Sequence, residues 1–513
     1  MYSEQFKSGR MTQFPQSYWT DSVNFKKFPA LSENLEVDVA VVGGGITGIT
    51  TAYLLIKEGL KVALIDAGSI LNGTTGHTTA KITAQHGIIY DEIISHFGEE
   101  IARLYFQANN EALQFIRNIV KEKEIDCDFT DEDAYIYTND SQSINKLINE
   151  SNAYEKIGIN GDLIESIPLD IPIKSALVMK NQAQFHPLKY LKVLVNEITE
   201  NGGLIFEDTT AVDVDYSEKT LVKMRNGHHI ACDYVAVCSH YPFYDGLGFY
   251  PTRMYSERSY LMAVKTKNPF PGGMYISAED PKRSLRDTVI NGEKILLVGG
   301  ENHKTGQGIS TIRHYEALRD FAQQTFGIET MLYRWSAQDL TTLDKIPYVG
   351  RITNEKENVL VATGYRKWGM TNSTAAAQII RDIIVGKENP FIDVYTPSRF
   401  KADPSVKNFI KTNIDVAKHL IEGKLEYPLR TADELNHDEG SVVNVNGRRA
   451  GAYKDEKGQL YIVDTTCTHL GCELEWNSGD RTWDCPCHGS RFSIIGEVVE
   501  GPAEQPLKRI ETK

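Results

Sequence analysis

Val37-Asp38-Val39-Ala40-Val41-Val42 is β-branched and almost continuously apolar, the pattern of a strand buried on both faces. A helical segment follows through Lys57, and residues 61–65 form a second apolar strand, so a parallel sheet is expected here. The same buried-strand pattern returns at Asn358-Val359-Leu360-Val361-Ala362-Thr363-Gly364, ahead of Tyr365-Arg366-Lys367-Trp368-Gly369-Met370-Thr371 and an alanine-rich helix. Between these lie a helix at 99–121, with Ile101, Leu104, Ala108, Ala112, Phe115 and Ile119 on one face, and a helix opened by Phe185-His186-Pro187. His186 is expected to be structural. A strand at 203–209 leads to Ala211-Val212. From 253 to 301 strand-like runs such as 260–265 and 294–299 follow one another without helices, which predicts a separate antiparallel sheet where substrate would lie.

Further on, Asp403-Pro404 supplies an N-cap and a first-turn proline, Val406, Phe409, Ile410, Ile414, Ala417, Leu420 and Ile421 share one face, and Gly423 ends the segment. This reads as a linker helix over 401–425 that docks on the domain before it, residues 1–400. A third unit, 426–513, contains short strands such as 441–445 and Leu460–Val463. The 513-residue length allows about three domains.

The net charge of −14 argues against a nucleic-acid partner. No run approaches a membrane span and no signal peptide is read at the N-terminus, so a soluble cytoplasmic protein is expected.

Two motifs carry chemistry. Gly43-Gly44-Gly45-Ile46-Thr47-Gly48 sits between strand and helix, the setting in which G-x-G-x-x-G holds a pyrophosphate at a helix N-terminus. Asp66 ends the second strand, placed for a ribose hydroxyl. The glycines alone leave FAD and NAD both open. Near the C-terminus, Cys467 with His469 and Cys485 with His488 form two mixed pairs, the ligand set of a Rieske [2Fe–2S] cluster, whereas zinc frameworks usually keep like ligands together. Cys127, Cys232 and Cys238, outside this motif, are expected to be buried thiols.

From about residue 36 to 513 the chain resembles bacterial FAD-dependent oxidoreductases of the glycine oxidase and D-amino-acid oxidase family that carry a C-terminal Rieske domain. The resemblance implies an α/β FAD-binding domain of Rossmann-like, glutathione-reductase type, an antiparallel substrate domain interleaved with it, and a small all-β Rieske domain. It implies FAD as cofactor, with Gly364, Gly369, Met370 and Thr371 at the flavin's pyrimidine end and the backbone of Val212 against adenine. The loop Gly73-Thr74-Thr75-Gly76-His77-Thr78-Thr79-Ala80-Lys81 would touch pyrophosphate and ring through Thr74 and Thr75; His77 and Lys81 depart from the family's Arg-Asn pattern, which leaves their roles open, Lys81 being either a cofactor-side charge that sets the flavin potential or a solvated lysine.

An amine or amino acid would be held by an arginine and aromatics, for which the candidates are Tyr255, Arg258, Arg334, Tyr365 and Trp368. No side-chain base is required, since the hydride goes to the flavin. Electrons would pass from FAD to the cluster and leave to an unidentified one-electron acceptor through His469 and His488, the ligands expected nearest solvent. Similarity to respiratory Rieske proteins further implies a Cys472–Cys487 disulfide and a potential-raising hydrogen bond from Ser490. Phe492 stands where those proteins have tyrosine, which implies a lower potential than theirs. An oxygen-using oxidase, a reductase fed by the cluster, and a redox sensor or adaptor without turnover stay open.

Overall fold

The computed structural model describes residues 15–216, 219–399, 402–425 and 428–511. Strand Leu35–Val42 pairs in parallel with Val62–Ile65 on one side and His229–Val237 on the other. Val359–Thr363 and Leu204–Phe206 extend the sheet in parallel. Successive side chains enter different cores: Val39 and Val41 pack with helices Ile46–Lys57 and Gly369–Val385, while Ala40 and Val42 pack with Val235, Val237 and Val361 on the far side. A strand covered on both faces has no polar positions to alternate, which is why its sequence is continuously apolar.

The second sheet is larger than the sequence pattern suggested. Met254–Thr266 lies antiparallel between Ile328–Thr342 and Glu293–Lys304, and Arg283–Ile290 continues the sheet. Thr130–Thr138 and Ser175–Gln184 join from earlier in the chain, and the Thr130–Thr138 pairing with Met274–Ser277 is parallel. In the third unit a three-stranded sheet built on Glu439–Val445 accompanies a four-stranded one from Glu475–Asn477 to Val498–Glu500. Cys127, Cys232 and Cys238 are buried. His186 caps helix Pro187–Glu200, its ring accepting the Lys189 N–H.

The linker helix departs from expectation. It runs Ala402–Leu425, so Asp403 lies inside the helix and Gly423 does not stop it. The side-chain placements of Asp403, Pro404, Ile421 and Gly423 lie outside the described residues. Val406, Phe409, Ile410 and Ile414 are exposed. Polar residues hold the helix instead: Asn408 donates to the Leu343 carbonyl (2.7 Å), Asn413 to that of Thr252 (3.0 Å), and Asp415 pairs with Lys304 (2.8 Å). Its later part, at Val416 and Leu420, packs on the third unit's core. Among the described residues no helix is long and apolar enough to cross a membrane.

Candidate redox site

The glycine loop shapes one end of a cavity of about 1000 Å³. A Cβ on Gly48 would lie 1.9 Å from the Gly43 carbonyl oxygen, so helix Ile46–Lys57 approaches the loop as only glycine permits. Gly45 caps that helix with no side-chain partner, leaving first-turn N–H groups for a ligand, and Gly43, Gly45, Ile46 and Thr47 line the cavity. Asp66 lines it too, accepting N–H bonds from Gly44 (2.7 Å) and Gly68 (2.8 Å), while burial raises its carboxyl. Thr75 Oγ1 accepts the Ile46 N–H (3.0 Å), tying the hydroxyl-rich loop to the helix start.

At the other end Gly369 opens its helix without a side-chain cap, and Gly369 and Met370 line the cavity with Thr74, Thr75 and Lys81. Gly48, Gly364, Thr371 and Val212 are not among the lining residues, which include Val212's neighbour Ala211. The Thr371 hydroxyl donates to the Thr83 carbonyl (3.0 Å). Lys81 Nζ donates to the Tyr275 carbonyl (2.8 Å) and the Ser284 hydroxyl (2.7 Å), both neutral, and burial, with Arg286 adding to it, lowers the ammonium to about 7. His240, which no sequence pattern marked, lines the cavity in a left-handed backbone conformation (φ 62°) with its Nε2 buried and without a partner. The N–H groups at both helix starts beyond the Ile46 N–H taken by Thr75, the glycine cradle and the orphaned imidazole nitrogen fit a dinucleotide.

Tyr255, Tyr365 and Trp368 face this cavity. Trp368 stacks on His86 (5.1 Å between ring centroids), and Tyr365 OH accepts from Thr47 (3.1 Å). Arg258 and Arg334 do not face it. Strand side chains alternate, so Tyr255, Glu257 and Ser259 point into the cavity while Ser256 and Arg258 point the other way. Arg334 Nη1 donates to the Gly479 carbonyl (2.5 Å) and its guanidinium lies over the Tyr315 ring. Both arginines are held at the contact with the third unit.

There the two ligand loops meet. Cys467 and Cys485 are buried, and the His469 and His488 rings lie at 90° with centroids 5.1 Å apart. Each imidazole leaves a buried Nδ1 with no partner. Burial lowers both rings' affinity for protons, His488 to about 4, which keeps them in the neutral, ligating form. Backbone N–H groups of His469 and Leu470 point at the Cys467 sulfur, and those of Cys487 and His488 at that of Cys485. This donor set fits a Rieske cluster. Cys472 and Cys487 are disulfide-bonded and buried, as the resemblance implied. Although the sulfurs of Cys472, Cys485 and Cys487 lie within 4.8 Å of one another, two belong to that disulfide, so Cys485 alone of the three has a free sulfur to offer a metal. Ser490, its oxygen accepting the Ala503 N–H (2.9 Å), turns its hydroxyl to Cys467, and Phe492 is fully buried.

The two histidines differ in exposure, His488 being buried and His469 only partly so. His488 is 7% exposed, and His469 lines the cavity against the edge of Tyr241 (6.2 Å between ring centroids). The cluster loops press onto the flavin-type domain: a Cβ on Gly306 would sit 2.7 Å from the Pro486 nitrogen, and Gln338 Nε2 donates to the Gly489 carbonyl (3.0 Å). Arg258 Nη2 binds Glu500 (2.5 Å), and its Nη1 lies 3.9 Å from Asp480. Arg491 completes the network with Asp480 (2.8 Å) and Asp484 (3.0 Å).

A dinucleotide cradle and a Cys₂His₂ iron–sulfur site sharing one cavity wall define a flavin-dependent oxidoreductase joined to a Rieske domain. Residues 38–383 match the FAD dependent oxidoreductase (DAO) family and residues 426–511 the Rieske [2Fe-2S] domain, so the chain belongs to the DAO family and carries a fused Rieske domain. It is 54% identical over 497 residues, 97% of this chain and 98% of the relative, to a Bacillus subtilis (strain 168) protein named as the Rieske 2Fe-2S iron-sulfur protein YhfW. It is 24% identical over 404 residues to the gamma-glutamylputrescine oxidoreductase of Escherichia coli (strain K12), covering 74% of this chain and 91% of that one. Glycine oxidase from Geobacillus kaustophilus shares the fold at TM-score 0.61 and 18% identity, over 72% of this chain and 100% of that one.

Gly48→Ala tests the cradle. Its FAD content after purification, measured as fluorescence released on denaturation, is expected to fall to about a tenth of the parent's or less, because the added methyl forces the helix off the loop.

Proposed function

We propose that this chain is a dehydrogenase that oxidises a C–N bond of a small amine or amino acid and sends the electrons through its Rieske cluster to an external one-electron acceptor. The observation that carries this reading is His469 lining the same cavity as the glycine loop and the Gly369 helix start. FAD, when bound, supplies a hydride acceptor, and the [2Fe–2S] cluster, when loaded, a carrier of single electrons. Tyr255, Tyr365 and Trp368 then shape the substrate's place, while the lost amine proton and the water that hydrolyses the imine come and go through the cavity.

With His469 facing inward, the imidazole end of the cluster is the entry for electrons. The exposed Leu470 beside it marks the edge an acceptor would approach. In this reading the protein works in the cytoplasm, where burial would shield the Cys472–Cys487 disulfide from cellular thiols.

Anaerobic rapid mixing of the FAD- and cluster-loaded protein with amines and amino acids is the test. Flavin bleaching is expected first, then the reduced-cluster signal in electron paramagnetic resonance. The reading fails if no amine or amino acid bleaches the flavin, or if bleaching is reversed only by oxygen and the cluster signal never appears.

A further inference from the structure

We infer that the Rieske domain completes the FAD site: its 497–506 segment closes the adenosine end, so that FAD enters and leaves only when the domain undocks. This needs FAD to bind but does not depend on what the flavin oxidises. Three observations carry it.

First, the two domains wall one cavity. Asp66, Thr210 and Ala211, where ribose and adenine are expected, line it together with Val499, Pro502 and Glu504 of the Rieske domain. Arg225 joins the two sides: its backbone N–H donates to the Thr210 carbonyl (2.9 Å) and its Nη2 to the Glu504 carbonyl (2.5 Å).

Second, the segment is fixed to its own domain. The Leu507 N–H donates to the Gly496 carbonyl (2.8 Å) and closes the loop at its base, while the Ala503 N–H donates to the Ser490 hydroxyl oxygen (2.9 Å). Ala503 and Leu507 are both buried in the core that contains Cys467 and Cys485. A loop pinned at its base and along its length moves with the domain that carries it, so opening this end of the cavity means undocking.

Third, docking grips the loop expected at the pyrophosphate. The Gln338 carbonyl accepts the Thr74 hydroxyl (3.2 Å), and the same residue's side-chain amide donates to the Gly489 carbonyl (3.0 Å), next to His488. Glu500, bound by Arg258, lies close enough to His77 for each charge to act on the other. The cofactor loop and the docked domain thus share supports, and binding events that share supports are coupled reciprocally. Docking retains FAD, and FAD holds the domain docked.

The test uses the oxidised full chain loaded with FAD and cluster. On dilution, FAD release, read as a rise in flavin fluorescence, is expected to be about tenfold or more faster in Arg258→Met than in the parent, although Arg258 faces away from the cavity. In the parent, amides of the 497–506 segment should exchange with deuterium about tenfold or more slowly with FAD bound than after FAD is stripped, with strand Arg448–Lys454 of the same domain unchanged.

Release at the parental rate from an Arg258→Met protein that loses its cluster signal early overturns the inference. So does exchange in 497–506 that is indifferent to FAD, a measurement on the parent that decides the matter even if the variant does not fold. Faster release without that protection would place the effect of Arg258 inside the flavin domain and overturn it as well.

Discussion

Arg258→Met is expected to destabilise the docked Rieske domain by about 3–5 kcal/mol, because it strands buried carboxylates without their cation. In the parent, three acids (Asp480, Asp484, Glu500) face two arginines, Arg258 and Arg491, with Arg258 fully buried. Burial alone would raise the Glu500 carboxyl, yet Arg258 and Arg491 outweigh it and hold it at about 2. A carboxyl depressed in the folded state adds stability above its unfolded pKa of about 4.3, and that contribution is lost as the pH falls towards 2. Docking should therefore be insensitive to pH from neutrality to about 5.

Denaturant unfolding followed separately by flavin fluorescence and by cluster absorbance checks the prediction. The parent should lose both signals together, and Arg258→Met should lose the cluster signal earlier. Arg258→Met with Glu500→Gln should recover part of the loss, since the second change removes a stranded charge. If the single variant keeps one coincident transition at the parental midpoint, the network does not hold the domains together.

Arg258 also shows what the sequence could and could not tell. The glycine loop and the two Cys–His loops are local: the residues that make each site lie within a few positions of one another, so spacing alone identifies them. The substrate wall is assembled from strands some eighty residues apart, Met254–Thr266 and Ile328–Thr342, and its register is long-range. Even so, one signal was present. Tyr255 and Arg258 differ by an odd number of positions, and residues of opposite parity on one strand cannot share a face. Over the regular stretch of the strand that parity sets Tyr255 and Arg258 on opposite faces.

His240 and Tyr241 carried no motif, because their place between cavity and cluster depends on how two domains dock. In the linker helix the apolar period states that a face is apolar and not what covers it. The exposed Phe409, Ile410 and Ile414 follow from that gap.

Cys485→Ser is expected to divide the reaction into its two halves. Cys485 would contribute one of two thiolates to the cluster, and loss of even an outer-shell partner weakens a metal site by about 10–100-fold, so a lost ligand should leave the cluster unloaded. Flavin bleaching by substrate should persist within about twofold, because the cavity wall is made by the flavin domain apart from His469 and the neighbouring 497–506 segment. Delivery to a one-electron acceptor too bulky to enter the cavity should fall about 100-fold or more, since the only carrier next to the bound flavin would be gone.

Metal loss can also unfold a small domain. This one keeps the Cys472–Cys487 disulfide and a core of Val463, Leu474, Trp483, Phe492 and Leu507, so circular dichroism should stay close to the parent's. Ser490→Ala separates potential from occupancy: it leaves all four ligands and removes the hydroxyl turned to Cys467, so the cluster should load fully and be reduced at a lower potential. Acceptor turnover that survives in Cys485→Ser would place the exit of electrons on the flavin, with the cluster no part of the path. Turnover lost in Cys485→Ser, retained in Ser490→Ala and altered there with the measured potential would make the cluster the obligatory carrier.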